Sequence, residues 1–63
     1  MKYFIEIVYS DDSSFSFEVT FPTKEDESHA ALDLITRGTL MASSAHRATC
    51  YKEDGFEVCA YIK

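Results

Sequence analysis

A chain of 63 residues, 46% hydrophobic and 27% charged, is too apolar for a disordered polymer. It is long enough for one small core, so residues 1–63 are read as a single domain. Eleven acids against six bases leave a net charge of −5, which argues against nucleic acid as a direct ligand, because phosphate binding needs clustered Lys and Arg.

Lys2 is followed by only Tyr3-Phe4-Ile5 before Glu6, too short for a secretory h-region, and no apolar run approaches a membrane span. These features predict a cytoplasmic protein with no membrane partner and with reduced thiols at its two cysteines. The first strand is predicted over about Lys2 to Tyr9, with Tyr3, Ile5, Ile7 and Tyr9 on one face and Phe4, Glu6 and Val8 on the other. Ser10-Asp11-Asp12-Ser13-Ser14 is a turn cluster that closes a hairpin onto a second strand. That strand runs from about Phe15 to Phe21, with Phe15, Phe17, Val19 and Phe21 alternating against Ser16, Glu18 and Thr20.

Pro22 ends the strand, and Thr23 reads as an N-cap with Glu25, Asp26 and Glu27 in the positive first turn of a helix. Its apolar stripe is read as Ala31, Leu34 and Ile35, with Ala30 beside it and Asp33 and Arg37 facing water. Gly38 offers a stop after Arg37, yet Gly38, Met41 and Ala42 continue the stripe, so an end near Ala42 is equally consistent.

The third strand is predicted over about His46 to Lys52 and the fourth over about Phe56 to Lys63, joined by Glu53-Asp54-Gly55. A two-residue turn at Asp54-Gly55 would set Cys50 opposite Cys59, within disulfide reach. A three-residue loop with Gly55 left-handed sets Cys50 opposite Val58, Ala48 opposite Ala60 and His46 opposite Ile62. The second register segregates the faces more cleanly and is preferred. It places Cys50 inward and Cys59 outward as free thiols. The fold class is therefore α+β, a two-layer ββαββ unit: a four-stranded antiparallel sheet with one helix packed on one face. Its core is expected from Ile5, Ile7, Phe15, Phe17, Val19, Phe21, Ala31, Leu34, Ile35, Cys50, Val58 and Ala60. The uncovered face would carry Phe4, Val8, Tyr51, Cys59 and Tyr61, an apolar surface for a partner or for weak homodimerisation of an otherwise monomeric chain.

No residue pattern points to an enzyme, a cofactor or a metal. His46 and Cys50, four apart on a strand, are separated by about 13 Å at roughly 3.3 Å per residue, too far to share a metal or act as a nucleophile and base. Glu6 and Glu18 stand on an open face with no cavity to raise either pKa. What remains is the acidic surface. Residues 1–33 hold Glu6, Asp11, Asp12, Glu18, Glu25, Asp26, Glu27 and Asp33 against only Lys2 and Lys24. Carboxylates at a density comparable to duplex phosphates can occupy a groove built for DNA.

In size, acidity and ββαββ order, and in its closing hairpin Tyr51-Lys52-Glu53-Asp54-Gly55, the chain resembles the small phage-encoded anti-CRISPR proteins. The resemblance implies a cytoplasmic inhibitor in a bacterial host that binds a Cas effector at a basic, DNA-binding surface. The acids just named, with Phe4 and Tyr61, would form the partner-binding surface. The first half, Met1-Lys2-Tyr3 opening a hairpin and Phe21-Pro22 before an acidic helix, is similar to HicB-type antitoxins, although Thr23 stands where that family continues with Leu-Pro-Gly. This second resemblance implies an antitoxin-like or other protein-interaction module.

Overall fold

The computed structural model describes residues 2–21 and 25–63, and within the helix the side chains from His29 onward. The described elements are β1 (Lys2–Tyr9), β2 (Ser14–Thr20), α1 (Glu25–Ala42), β3 (Ala45–Lys52) and β4 (Glu57–Ile62). All strand pairs are antiparallel in one sheet of order β2-β1-β3-β4, so the expected two-layer ββαββ architecture is present. Pro22 and the Thr23 cap lie outside the described residues.

Both hairpins close with the same turn. Tyr9 N donates to Ser13 O at 2.9 Å and Asp12 N to Tyr9 O at 3.0 Å; correspondingly, Lys52 N donates to Phe56 O at 2.8 Å and Gly55 N to Lys52 O at 3.0 Å. The third loop residue is left-handed in each, Asp12 at φ 69° and Gly55 at φ 91°. Gly55 takes this conformation without a Cβ penalty, and aspartate is among the few other residues that visit it. A carboxylate locks each turn, Asp11 accepting from Ser13 N and Asp54 from Phe56 N, both at 3.0 Å.

The predicted loop Glu53-Asp54-Gly55 is thus the observed one, but the predicted register beyond it is not. Tyr51 pairs with Glu57, after which Val58 is bulged out of the ladder and Cys50 pairs with Cys59. Ala48 therefore faces Tyr61 rather than Ala60, and Ile62 faces Arg47 rather than His46. Because side chains alternate, the one-residue slip turns Cys59 and Tyr61 toward the helix and Ala60 and Ile62 away from it.

The inner layer is built on β1 and β3. Tyr3, Ile5, Leu32 and Cys50 form one buried cluster, with Ile35 and Val58 against it; Ile7, Leu40, Ala45 and Ala48 form a second. The helix docks by Leu32, Thr36 and Leu40, spaced four apart; of the predicted stripe Ile35 packs on the core, whereas Leu34 and Met41 are corrected to the outer side. Leu34 and Met41 are each 67% exposed on the outer side. The two sides of this helix are similarly apolar, and polar satisfaction separates them. The buried Thr36 hydroxyl donates to Leu32 O at 2.7 Å, and Asp33, expected in water, accepts from the Tyr61 hydroxyl and from Arg37 Nη2 at 3.0 Å. These two polar side chains of the helix, Asp33 and Thr36, are therefore bonded, as burial requires.

The helix end near Ala42 is closed from the opposite terminus. Lys63 Nζ donates to Ser43 O at 2.9 Å and to Leu40 O at 3.4 Å, placing a cation where the helix dipole is negative. The helix packs mainly on β3 and β4. At the far edge of the sheet, β2 is consequently less covered: Phe15, predicted in the core, is 57% exposed and stacks on Phe17. Ala60 leaves the predicted core for the opposite face.

Candidate functional site

The uncovered sheet face is assembled by the pairing of β1 with its two neighbours. Phe4 lies between Glu18 on β2 and Tyr51 on β3, Glu6 between Ser16 and Thr49, and Val8 between Ser14 and Arg47. Beyond β3, Thr49 pairs with Ala60 and Arg47 with Ile62, which is 78% exposed. The result is a mixed face: Phe4-Tyr51 at one end, Val8 and Ile62 on either side of Arg47 at the other, Glu6 and Thr49 between them, and Glu18 and Glu57 on the outer strands. Phe4, Val8 and Tyr51 stand on this face as predicted. Ala60 and Ile62 join it through the Val58 bulge, for which the sequence carries no glycine or other marker.

Tyr61, predicted as a binding residue of this face, belongs to the opposite layer. Its hydroxyl donates to Asp33, Arg37 Nη2 donates to the same oxygen at 3.2 Å, and the guanidinium lies 5.0 Å from the ring centre. Asp33 and Tyr61 thus hold the helix to β4. Glu18 is also engaged: its carboxylate stands 3.3 Å from Lys2 Nζ, which lies 3.7 Å from Glu53. Bonding to Glu18 and the two carboxylate charges raise the Lys2 pKa. At such exposed positions the pairs add little stability.

The remaining acids cluster at the hairpin tips. Asp11 and Asp12 crown one end, and Glu53 and Asp54 crown the other, because β3 runs antiparallel to β1. Donation from the Ser13 hydroxyl and amide holds the Asp11 carboxyl below the usual aspartate range. A shallow depression of about 240 Å³ lies beside Lys2, Lys52, Glu53 and Asp54, and another of about 400 Å³ beside Tyr9, Ser10, Asp11, Ser13 and Ser44. The side chains of Glu25, Asp26 and Glu27 lie outside the described residues. Among the described residues, no three His, Cys, Asp or Glu converge on a point that would hold a metal ion, and no helix is long and apolar enough to cross a membrane.

Beneath the helix, Cys50 and Cys59 face each other as free thiols. Burial, and secondarily the neighbouring Cys59, push the Cys50 thiol from 9.0 up to about 11. A pKa raised by folding favours the neutral thiol, so its contribution is complete below pH 9 and is lost as pH climbs from 9 to 11. At 1.36 kcal/mol per unit, two units amount to at most about 3 kcal/mol. Denaturant midpoints are expected to fall more steeply across pH 9 to 11 in the native chain than in Cys50→Ala. Parallel curves would refute the buried-thiol assignment.

No protein-family model matches the chain, and neither does any curated protein or solved structure.

Proposed function

We propose that the chain is a small acidic protein-binding inhibitor that docks its uncovered sheet face on a basic protein surface. The observation that carries this reading is the Phe4-Tyr51 pair on a face no helix covers, flanked by Glu18 and Glu57 and with Glu6 next along β1. Aromatic side chains bury much area at low entropic cost, so they supply affinity, whereas carboxylates steer a basic partner and fix its register.

The resemblance to anti-CRISPR proteins makes that partner a DNA-binding Cas effector, blocked from its target DNA. Phosphate mimicry then falls mainly to Glu6, Asp11, Asp12 and Asp54, because Glu18, Asp33 and Glu53 have cationic partners of their own; the sequence adds Glu25, Asp26 and Glu27. The two acidic tips cap opposite ends of a body 35 Å long, comparable to the roughly 34 to 36 Å of one duplex turn.

The test is inhibition of target-duplex binding by a panel of purified Cas effectors. Phe4→Ala and Tyr51→Ala are expected to weaken inhibition at least tenfold through faster dissociation. Asp11→Lys with Asp12→Lys should slow association and flatten the dependence on salt, since these charges are screened over about 8 to 10 Å. If the aromatic variants inhibit fully and only the acid reversals fail, phosphate mimicry acts without the sheet face. If no effector is inhibited, the effector reading is wrong, and the antitoxin-like alternative is tested by binding to a toxin.

A further inference from the structure

The bulge at Val58 brings the two cysteines of the chain into direct cross-strand register. Lys63 N donates to His46 O at 2.8 Å, which marks residues 46 and 63 as a hydrogen-bonded pair. Such pairs recur at every second position of an antiparallel ladder, so Ala48 with Tyr61 and Cys50 with Cys59 belong to the same set. Hydrogen-bonded pairs hold their Cα atoms about 5.5 Å apart, inside the roughly 4.4 to 6.8 Å that a disulfide spans. Both side chains point to the helix side and pack on the same buried cluster. The Thr36 hydroxyl adjoins both thiols.

We propose that Cys50 and Cys59 are a redox-closable pair, which exchanges with a low-molecular-weight disulfide to form a cross-strand disulfide tying β3 to β4. Cys50 is fully buried and Cys59 partly exposed, which sets the order of events. Cys59 loses its proton to water, and its thiolate attacks one sulfur of the reagent. A mixed disulfide forms and one reagent thiolate departs and is protonated. Cys50 then gives up its proton and attacks the Cys59 sulfur, expelling the second reagent thiolate. Two protein thiols are oxidised and one reagent disulfide is reduced to two thiols. Burial raises the pKa of both cysteines, so exchange is slow at neutral pH and accelerates toward alkaline pH.

The experiment treats the full chain with oxidised glutathione at pH 8.5, quenches with a maleimide and weighs the product. The expected product is a monomer lighter by two hydrogens, carrying neither maleimide nor glutathione. Its melting midpoint should exceed that of the reduced chain by at least about 5 °C. Cys50→Ala should instead accumulate a glutathione adduct on Cys59, and Cys50→Ser provides the same readout if the alanine variant folds poorly. A stable adduct on the native chain, an interchain dimer, or two free thiols after unfolding and refolding in the same buffer would each overturn the proposal.

Discussion

Leu32→Ala is expected to cost about 3 to 5 kcal/mol, enough to unfold most of the protein at 37 °C, because a domain this small holds only a few kcal/mol in total. Leu32 is wholly buried among Tyr3, Ile5 and Cys50, where truncation leaves a cavity that a packed sheet cannot collapse to fill. Leu34→Ala, two positions along the same helix, should stay within about 0.5 kcal/mol of the native chain, since Leu34 is 67% exposed. Urea midpoints for the pair decide which side of the helix faces the sheet. A neutral Leu32→Ala with a disruptive Leu34→Ala would mean that the helix is rotated by nearly half a turn from the arrangement described.

Tyr3→Ala should be comparably damaging, at about 3 to 5 kcal/mol. The ring is fully buried, edge-on to Phe21 at 6.3 Å and to His29 at 6.1 Å, and so joins the first strand to the chain on both sides of the strand-to-helix connection. Tyr3→Phe is expected to behave differently. The hydroxyl has no hydrogen-bond partner among the described residues, and removing an unsatisfied buried polar group while keeping its shape is neutral or stabilising, here by up to about 1 kcal/mol. Chemical denaturation of the two variants separates ring from hydroxyl. A loss above about 1 kcal/mol for Tyr3→Phe would overturn the reading of the hydroxyl as unsatisfied.

The strands were legible because their physics is local. Phe15, Phe17, Val19 and Phe21 alternate without exception, and Ser10 to Ser14 and Glu53 to Gly55 carry the residues that tight turns require. The helix was legible as an element but only partly in its facing, since Leu32 and Leu40 compete with Leu34 and Met41 for the core while Ile35 packs on it as read. Asp33 reads as outward-facing until its partner Tyr61 is known, and Thr36 carries no inward signal until its bond to Leu32 O is known. The Val58 bulge is the main illegible feature, because a valine in a strand pattern gives no sign of being extra. That single residue reassigned Cys59, Ala60, Tyr61 and Ile62 between the faces, and with them the membership of the candidate binding surface. Asp11, Asp12, Phe4 and Tyr51 were placed correctly because each lies on the near side of that bulge or on another strand.

The strand order β2-β1-β3-β4 also governs how quickly the molecule can assemble. Each hairpin joins neighbours in sequence and can zip within about 1 to 10 μs. The two central strands meet only when residue 5 finds residue 50, with the second strand and the whole helix looped out between them. Closure of that loop precedes the burial that rewards it, so it is the step that sets the folding barrier. The hairpin tips close before that step, so destabilising changes at Asp11 or Asp54 should appear mainly in the folding limb of a chevron plot. Changes at Ile5 or Cys50 should slow the folding limb as well.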